Sequence, residues 1–101
     1  STLYYPYNFP HGRINVDVIA WGKQAGGVWP RMVIGVGANY SEPFTVNSSS
    51  NKVYSTAFPL TGNERVLTIR FLYADNPDPG EWKLYVDGAN ITIQTDQVPE
   101  P

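Results

Sequence analysis

Apolar and polar side chains alternate with a period of two along most of this chain, and nowhere with a period near 3.6. In residues 14–21 (INVDVIAW), Ile14, Val16, Val18 and Ala20 share one side, while Asn15, Asp17, Ile19 and Trp21 share the other. Successive side chains of a strand point to opposite faces, so this spacing predicts a strand buried on one face. Residues 31–37 repeat the pattern through Met32, Ile34 and Val36, and Phe44 with Val46 forms a shorter piece. Residues 53–58 read as a strand whose end Pro59 weakens. The longest run spans 65–73, with Leu67, Ile69, Phe71 and Tyr73 on one face. Leu84 and Val86 then alternate with Tyr85 and Asp87, Asp87-Gly88 reads as a hairpin turn, and Ile91 with Ile93 marks a last strand. Seven or eight short strands parted by turns predict an all-β fold, an antiparallel β-sandwich of jelly-roll type. Its predicted core is Val16, Val18, Ile34, Val36, Leu67, Ile69, Phe71, Leu84 and Val86.

The two ends of the chain differ from this pattern. Residues 1–13 carry Tyr4, Tyr5, Tyr7 and Phe9 between Pro6 and Pro10. Proline removes ladder donors, so an extended arm or edge segment is expected there, with its rings packed on protein. Residues 14–95 form the sandwich, and residues 96–101 a frayed tail. Between strands, the glycines of residues 22–30 suggest a surface loop ending at Trp29-Pro30. No helix pattern follows them to supply a phosphate cradle.

Composition narrows the function. A chain of 101 residues with 42% hydrophobic side chains suits one folded domain. The net charge of -2 argues against nucleic acid or an anionic membrane as partner. With no cysteine and one histidine, His11, a disulfide framework and a thiolate metal site are excluded, and a zinc or catalytic role for His11 is not expected. Aromatics reach 14%, rich enough to expect some rings on a binding surface. A first residue of Ser rather than Met gives the chain the look of a processed or excised piece.

One loop stands out. Residues 73–82 (YADNPDPGEW) place Asp75, Asp78 and Glu81 among prolines, an asparagine and a glycine. Three carboxylates so close repel unless a cation or water screens them. Hard cations such as calcium take oxygen ligands of this kind, so these three are the candidate metal ligands. Tyr73 and Trp82 at the loop's ends, with Trp29, are the candidate ligand-binding rings.

The segments INVDVIAWGKQAGGVWPRMVIGVGANYSEPFTVNSSSNKVYSTAF and ERVLTIRFLYADNPDPGEWKLYVDGANI resemble the calcium-dependent xylan-binding carbohydrate-binding modules of families 36 and 60. The similarity covers roughly residues 14–93. It rests on the order of four pieces: Gly26-Gly27 followed by Trp29-Pro30, residues 44–48 (FTVNS), the strand leading to Phe71, and residues 84–87 (LYVD). The resemblance implies a non-catalytic, secreted β-sandwich that accompanies polysaccharide-degrading enzymes. It also implies a loop-bound calcium ion that meets the sugar hydroxyls directly. This chain departs from the family around that loop. Tyr73-Ala74 stands where the family has Asn-Asp, and Lys83 stands where it has Asn, adding a positive charge beside the site.

The expected function is therefore recognition of a plant or microbial, xylan-like polysaccharide without catalysis. A parent glycoside hydrolase or neighbouring subunits are the expected protein partners. The alternative is a structural or adhesive subunit of an extracellular layer or filament, in which the aromatic arm and strand edges pair with a neighbour. A glycosidase is disfavoured, because it needs two carboxylates facing each other across a cleft.

Overall fold

The computed structural model describes residues 2–72 and 83–95. Eight strands lie among them: β1 (Thr2–Pro6), β2 (His11–Lys23), β3 (Arg31–Val36), β4 (Asn39–Tyr40), β5 (Phe44–Thr45), β6 (Lys52–Thr61), β7 (Val66–Leu72) and β8 (Lys83–Thr95). They form two antiparallel sheets. One has the order β1-β7-β3-β4, with β5 also pairing β3; the other has the order β6-β2-β8. The all-β sandwich expected from the alternation is what the chain adopts, and the described residues contain no helix.

The core follows the period of two. Ile14, Val16, Val18 and Ala20 of β2 are fully buried, as are Met32, Ile34 and Val36 of β3, with Leu67 and Ile69 of β7 beside β3 in the same sheet. Leu84 and Val86 pack on this cluster from the edge strand β8 and stay half-buried. Phe71, expected in the core, is also half-buried, at the end of β7 beside the undescribed residues. Each fully buried aliphatic side chain contributes about 1.5–3 kcal/mol.

The hairpin expected at Asp87-Gly88 is not formed. β8 runs unbroken from Lys83 to Thr95 along β2, and the register shifts once, between Ile19 and Ala20. Val86 pairs Ala20 and Gly88 pairs Ile19, so Asp87 is the extra residue of a β-bulge. The bulge reverses the strand's parity. Leu84 and Val86 face inward before it, and Ile91 and Ile93, opposite Val16 and Ile14, face inward after it. Asn51 Nδ2 donates to Asp87 Oδ2 at 2.7 Å, which holds the bulged residue outward.

The turn from β6 into β7 is built on one buried carboxylate. Glu64 accepts hydrogen bonds from the Thr61 amide (3.1 and 3.0 Å), the Thr61 hydroxyl (3.0 Å) and the Gly62 amide (3.1 Å). The Thr61 backbone bond, set against burial that opposes it, holds the Glu64 carboxyl below its usual pKa. Gly37 has φ of 60°, and a Cβ there would sit 2.6 Å from Glu64 Cγ, so the approach requires glycine.

The sheets differ in width. At one flank Phe44 of β5 meets Tyr54 of β6 edge to face, with centroids 5.7 Å apart, and Asn39 Nδ2 reaches the Pro59 carbonyl at 3.5 Å. With β4 and β5 over β6, β3 lies over β2 and β7 over β8. β1 then extends past β8 with no described strand beneath it.

Candidate functional site

The outer face of the β6-β2-β8 sheet gathers the side chains most suited to holding a ligand. β2 presents Asn15, Asp17, Ile19 and Trp21 there, the set opposite in parity to its buried residues. Register fixes their neighbours: Ala57 and Thr92 flank Asn15, Ser55 and Asn90 flank Asp17, and Tyr85 lies beside Trp21. Directly paired residues share a face, so these groups form rows across the three strands.

At one end of the face, the Trp21 and Tyr85 rings stack with centroids 4.0 Å apart and planes 12° from parallel. Such a cross-strand pair contributes about 0.5–1.5 kcal/mol beyond its buried area. Tyr85 remains 38% exposed even so, which leaves aromatic surface open to solvent. From Trp21 the face runs along β2 for about 20 Å to Asn15, at roughly 3.4 Å per residue. Around Asp17 it sinks into an open depression of about 500 Å³ lined by Asn15, Asp17, Ser55, Thr56, Ala57 and Thr92. Ser55 Oγ donates to Asp17 Oδ1 at 2.6 Å, which fixes one carboxylate oxygen and leaves the other to accept from a ligand. Gly88, next to the bulge, has open space where a side chain would stand.

The other outer face carries a second, sparser aromatic row. Tyr4, Thr68, Gly35 and Tyr40 are in register across β1, β7, β3 and β4. Tyr40 lies against Gly35, whose absent Cβ would fall 2.7 Å from the ring. Both tyrosines are strongly exposed, but Thr68 is the only short polar side chain between them.

Of the expected site residues, Asp75, Asp78, Glu81, Tyr73 and Trp82 lie outside the described residues. Among the described residues no three His, Asp or Glu side chains gather as a metal site. Trp29 is half-buried; the next residue, Pro30, packs on Gly22, so Trp29 belongs to the Trp21 end of the sandwich. β8 begins at Lys83, in register with Lys23 and two residues from Tyr85, so the chain leaving the acidic loop rejoins the sheet at that same end. Trp21 and Tyr85 were not singled out by sequence. Their signal was present, since each stands on the polar side of an alternating strand, but the pairing that stacks them is set by register.

No protein-family model, curated protein or solved structure matches this chain.

Proposed function

We propose that this domain is a non-catalytic polysaccharide-binding module that holds a xylan-like chain along the outer face of β6-β2-β8. The observation that carries this reading is the Trp21–Tyr85 stack at the head of a row of Asp, Asn, Ser and Thr side chains. A sugar ring has an apolar C–H face and a rim of hydroxyls. The first is removed from water against an aromatic ring, and the second needs donors and acceptors at fixed places. Asp17 supplies acceptors; Asn15 and Asn90 supply both kinds. Asp17 has Ser55 and Asn90 as its register neighbours, an arrangement of donors and acceptors that suits binding.

The acidic loop belongs to the same proposal. A calcium ion on Asp75, Asp78 and Glu81 would take sugar hydroxyls among its oxygen ligands, with Tyr73 and Trp82 close in sequence. An extracellular setting follows from the ligand, and a parent glycoside hydrolase is the natural neighbour of such a module.

Affinity electrophoresis through gels containing xylan or a mixed β-glucan, with calcium or with chelator, tests this. Retardation by at least one polysaccharide is expected. Trp21→Ala or Tyr85→Ala should weaken it about tenfold, equivalent to roughly 1.4 kcal/mol. Loss on chelation, with Trp21→Ala harmless, would move the site wholly into the loop. No retardation by any polysaccharide would leave the structural-subunit reading.

A further inference from the structure

Three exposed side chains of β1 and the residue that follows it point the wrong way for a surface. Leu3 pairs Ile69 and Tyr5 pairs Leu67, both buried, so Leu3 and Tyr5 face the inner side of their sheet, and Tyr7 continues the alternation. Yet Leu3 is 56%, Tyr5 51% and Tyr7 45% exposed. Below them, Ile91 and Ile93 of β8 face inward and are only half-buried. Tyr5, Tyr7, Phe9, Ile91 and Ile93 line a cleft of about 180 Å³ between the two edges. One sheet is four strands wide and the other three, and the missing place is opposite β1, along the outer edge of β8. Among the described residues nothing pairs with that edge of β8 or with the outer edge of β1.

We propose that two copies of this chain form a closed two-fold dimer in which β1 of each copy is the missing fourth strand of the other's β6-β2-β8 sheet. The arrangement follows from the widths of the sheets. A two-fold axis parallel to the strands, midway between the layers at β1, carries each β1 into the place beside the other copy's β8. Both gaps fill at once. The result is two continuous sheets of the order β6-β2-β8-β1-β7-β3-β4, the first three strands from one copy and the rest from the other. The alternation is respected, because the incoming Leu3 and Tyr5 still face the shared interior. Pairing β8 with β8 instead would drive β1 of one copy into β7 of the other, since both would need the same place over β8.

The edges that meet carry no charge. Residues 2–10 and residues 88–95 contain no Asp, Glu, Lys or Arg to guard an open edge; Pro6 withholds one donor at the end of β1, which leaves Thr2–Tyr5 to pair. The area also suffices. Leu3, Tyr5 and Tyr7 of each copy are already about half covered, so their open halves, with Ile91, Ile93 and two strand edges, bury on the order of 1,000 Å², the lower bound for a specific contact. Such a contact is isologous and closes on itself, so it yields dimers and not filaments. It uses the flank of the sandwich, away from the sheet face proposed for sugar.

Sedimentation velocity over a concentration series tests the proposal on the intact chain. A dimer is expected at micromolar concentration; a monomer throughout would overturn the idea. Tyr5→Glu places a charge on the buried row and should raise the dissociation constant at least about a hundredfold while the far-ultraviolet strand spectrum is kept. Val53→Glu, on the outer face of β6 and 57% exposed in the same chain, should leave the dimer intact. Dimers that survive Tyr5→Glu, or that dissociate with Val53→Glu, would place the contact elsewhere. The axis also sets residue 3 opposite residue 3 of the second copy. Leu3→Cys should therefore be joined into a covalent dimer by a short bismaleimide, and Val53→Cys should not. Equal cross-linking of the two, or fibres under the electron microscope, would exclude the closed arrangement.

Discussion

On the flank where β5 lies over β6, Phe44 meets Tyr54 edge to face, and the Tyr54 ring is buried to 7%. On the opposite flank Tyr5 and Tyr7 stack on each other, 6.1 Å apart and 14° from parallel, and stay about half exposed. Both flanks place aromatic rings on inward-facing positions of edge strands. The difference is whether the facing sheet is wide enough to cover them. Burial is decided by the number of strands in the opposite layer, and the residue type merely decides how costly an uncovered position is.

The arm itself contains the same contrast within a few residues. Phe9 is 2% exposed, lies edge-on to Tyr7 at 4.9 Å, and donates its amide to the Glu64 carbonyl. The rings of residues 1–13 were expected to pack on protein; in the single chain Phe9 does so fully, whereas Tyr4, Tyr5 and Tyr7 remain open. Phe9→Ala should cost about 3–5 kcal/mol in chemical denaturation, as for a buried ring. A loss near zero would mean that the covered part of the arm is as loosely held as the open part.

The next effect concerns the turn that anchors Phe9. Glu64→Gln replaces a charged acceptor with a group that turns an amide toward the Thr61 and Gly62 donors, and should cost about 1–3 kcal/mol at neutral pH. The sign of its pH dependence is fixed by the lowered pKa of Glu64. Stability from this carboxylate is present above its unfolded-state pKa and is lost as pH falls through the lower folded-state pKa. The gap between the two proteins should thus narrow on acidification, and a gap constant with pH would assign the loss to shape alone.

A smaller effect tests the closed flank. The Tyr54 hydroxyl is buried with the Asn47 backbone beside it but no hydrogen bond of good geometry. Burial raises its pKa, and the nearby Asn47 backbone opposes the rise. Tyr54→Phe removes the orphan hydroxyl and should stabilise the fold by up to about 1 kcal/mol. Destabilisation would show that the hydroxyl is bonded in solution. The smallest effect belongs to the open flank: Tyr7→Ala should cost less than about 1 kcal/mol at concentrations low enough to keep the chain monomeric. At higher concentration the loss should grow, because the ring is then buried between copies.

How much of this was legible beforehand can be read from particular residues. The alternation in residues 14–21 named both the buried side of β2 and, by difference, its display side, including Asp17 and Trp21. The parity change between Val86 and Ile91 was equally visible. Asp-Gly is a strong two-residue hairpin signal, but here the neighbouring strand continues past it and the extra residue becomes a bulge. The attention drawn to residues 73–82 came from charge density, a local property. The stacked pair on the sheet face depends on which strand lies beside which, and no local property records that.

Sequence by itself determined the period of two, and with it the all-β class and the inward identities of Val16, Val18, Ile34, Val36, Leu67 and Ile69, because a strand's side chains must alternate whatever its neighbours. Only the tertiary structure decided that Trp21 meets Tyr85, that Asp87 bulges against Asn51, and that β1 has no described strand beneath it. Each of these is a relation between segments far apart in the chain. Register and sheet width come from the summed packing of both layers, and the residues involved look the same in sequence whether that packing covers them or leaves them open.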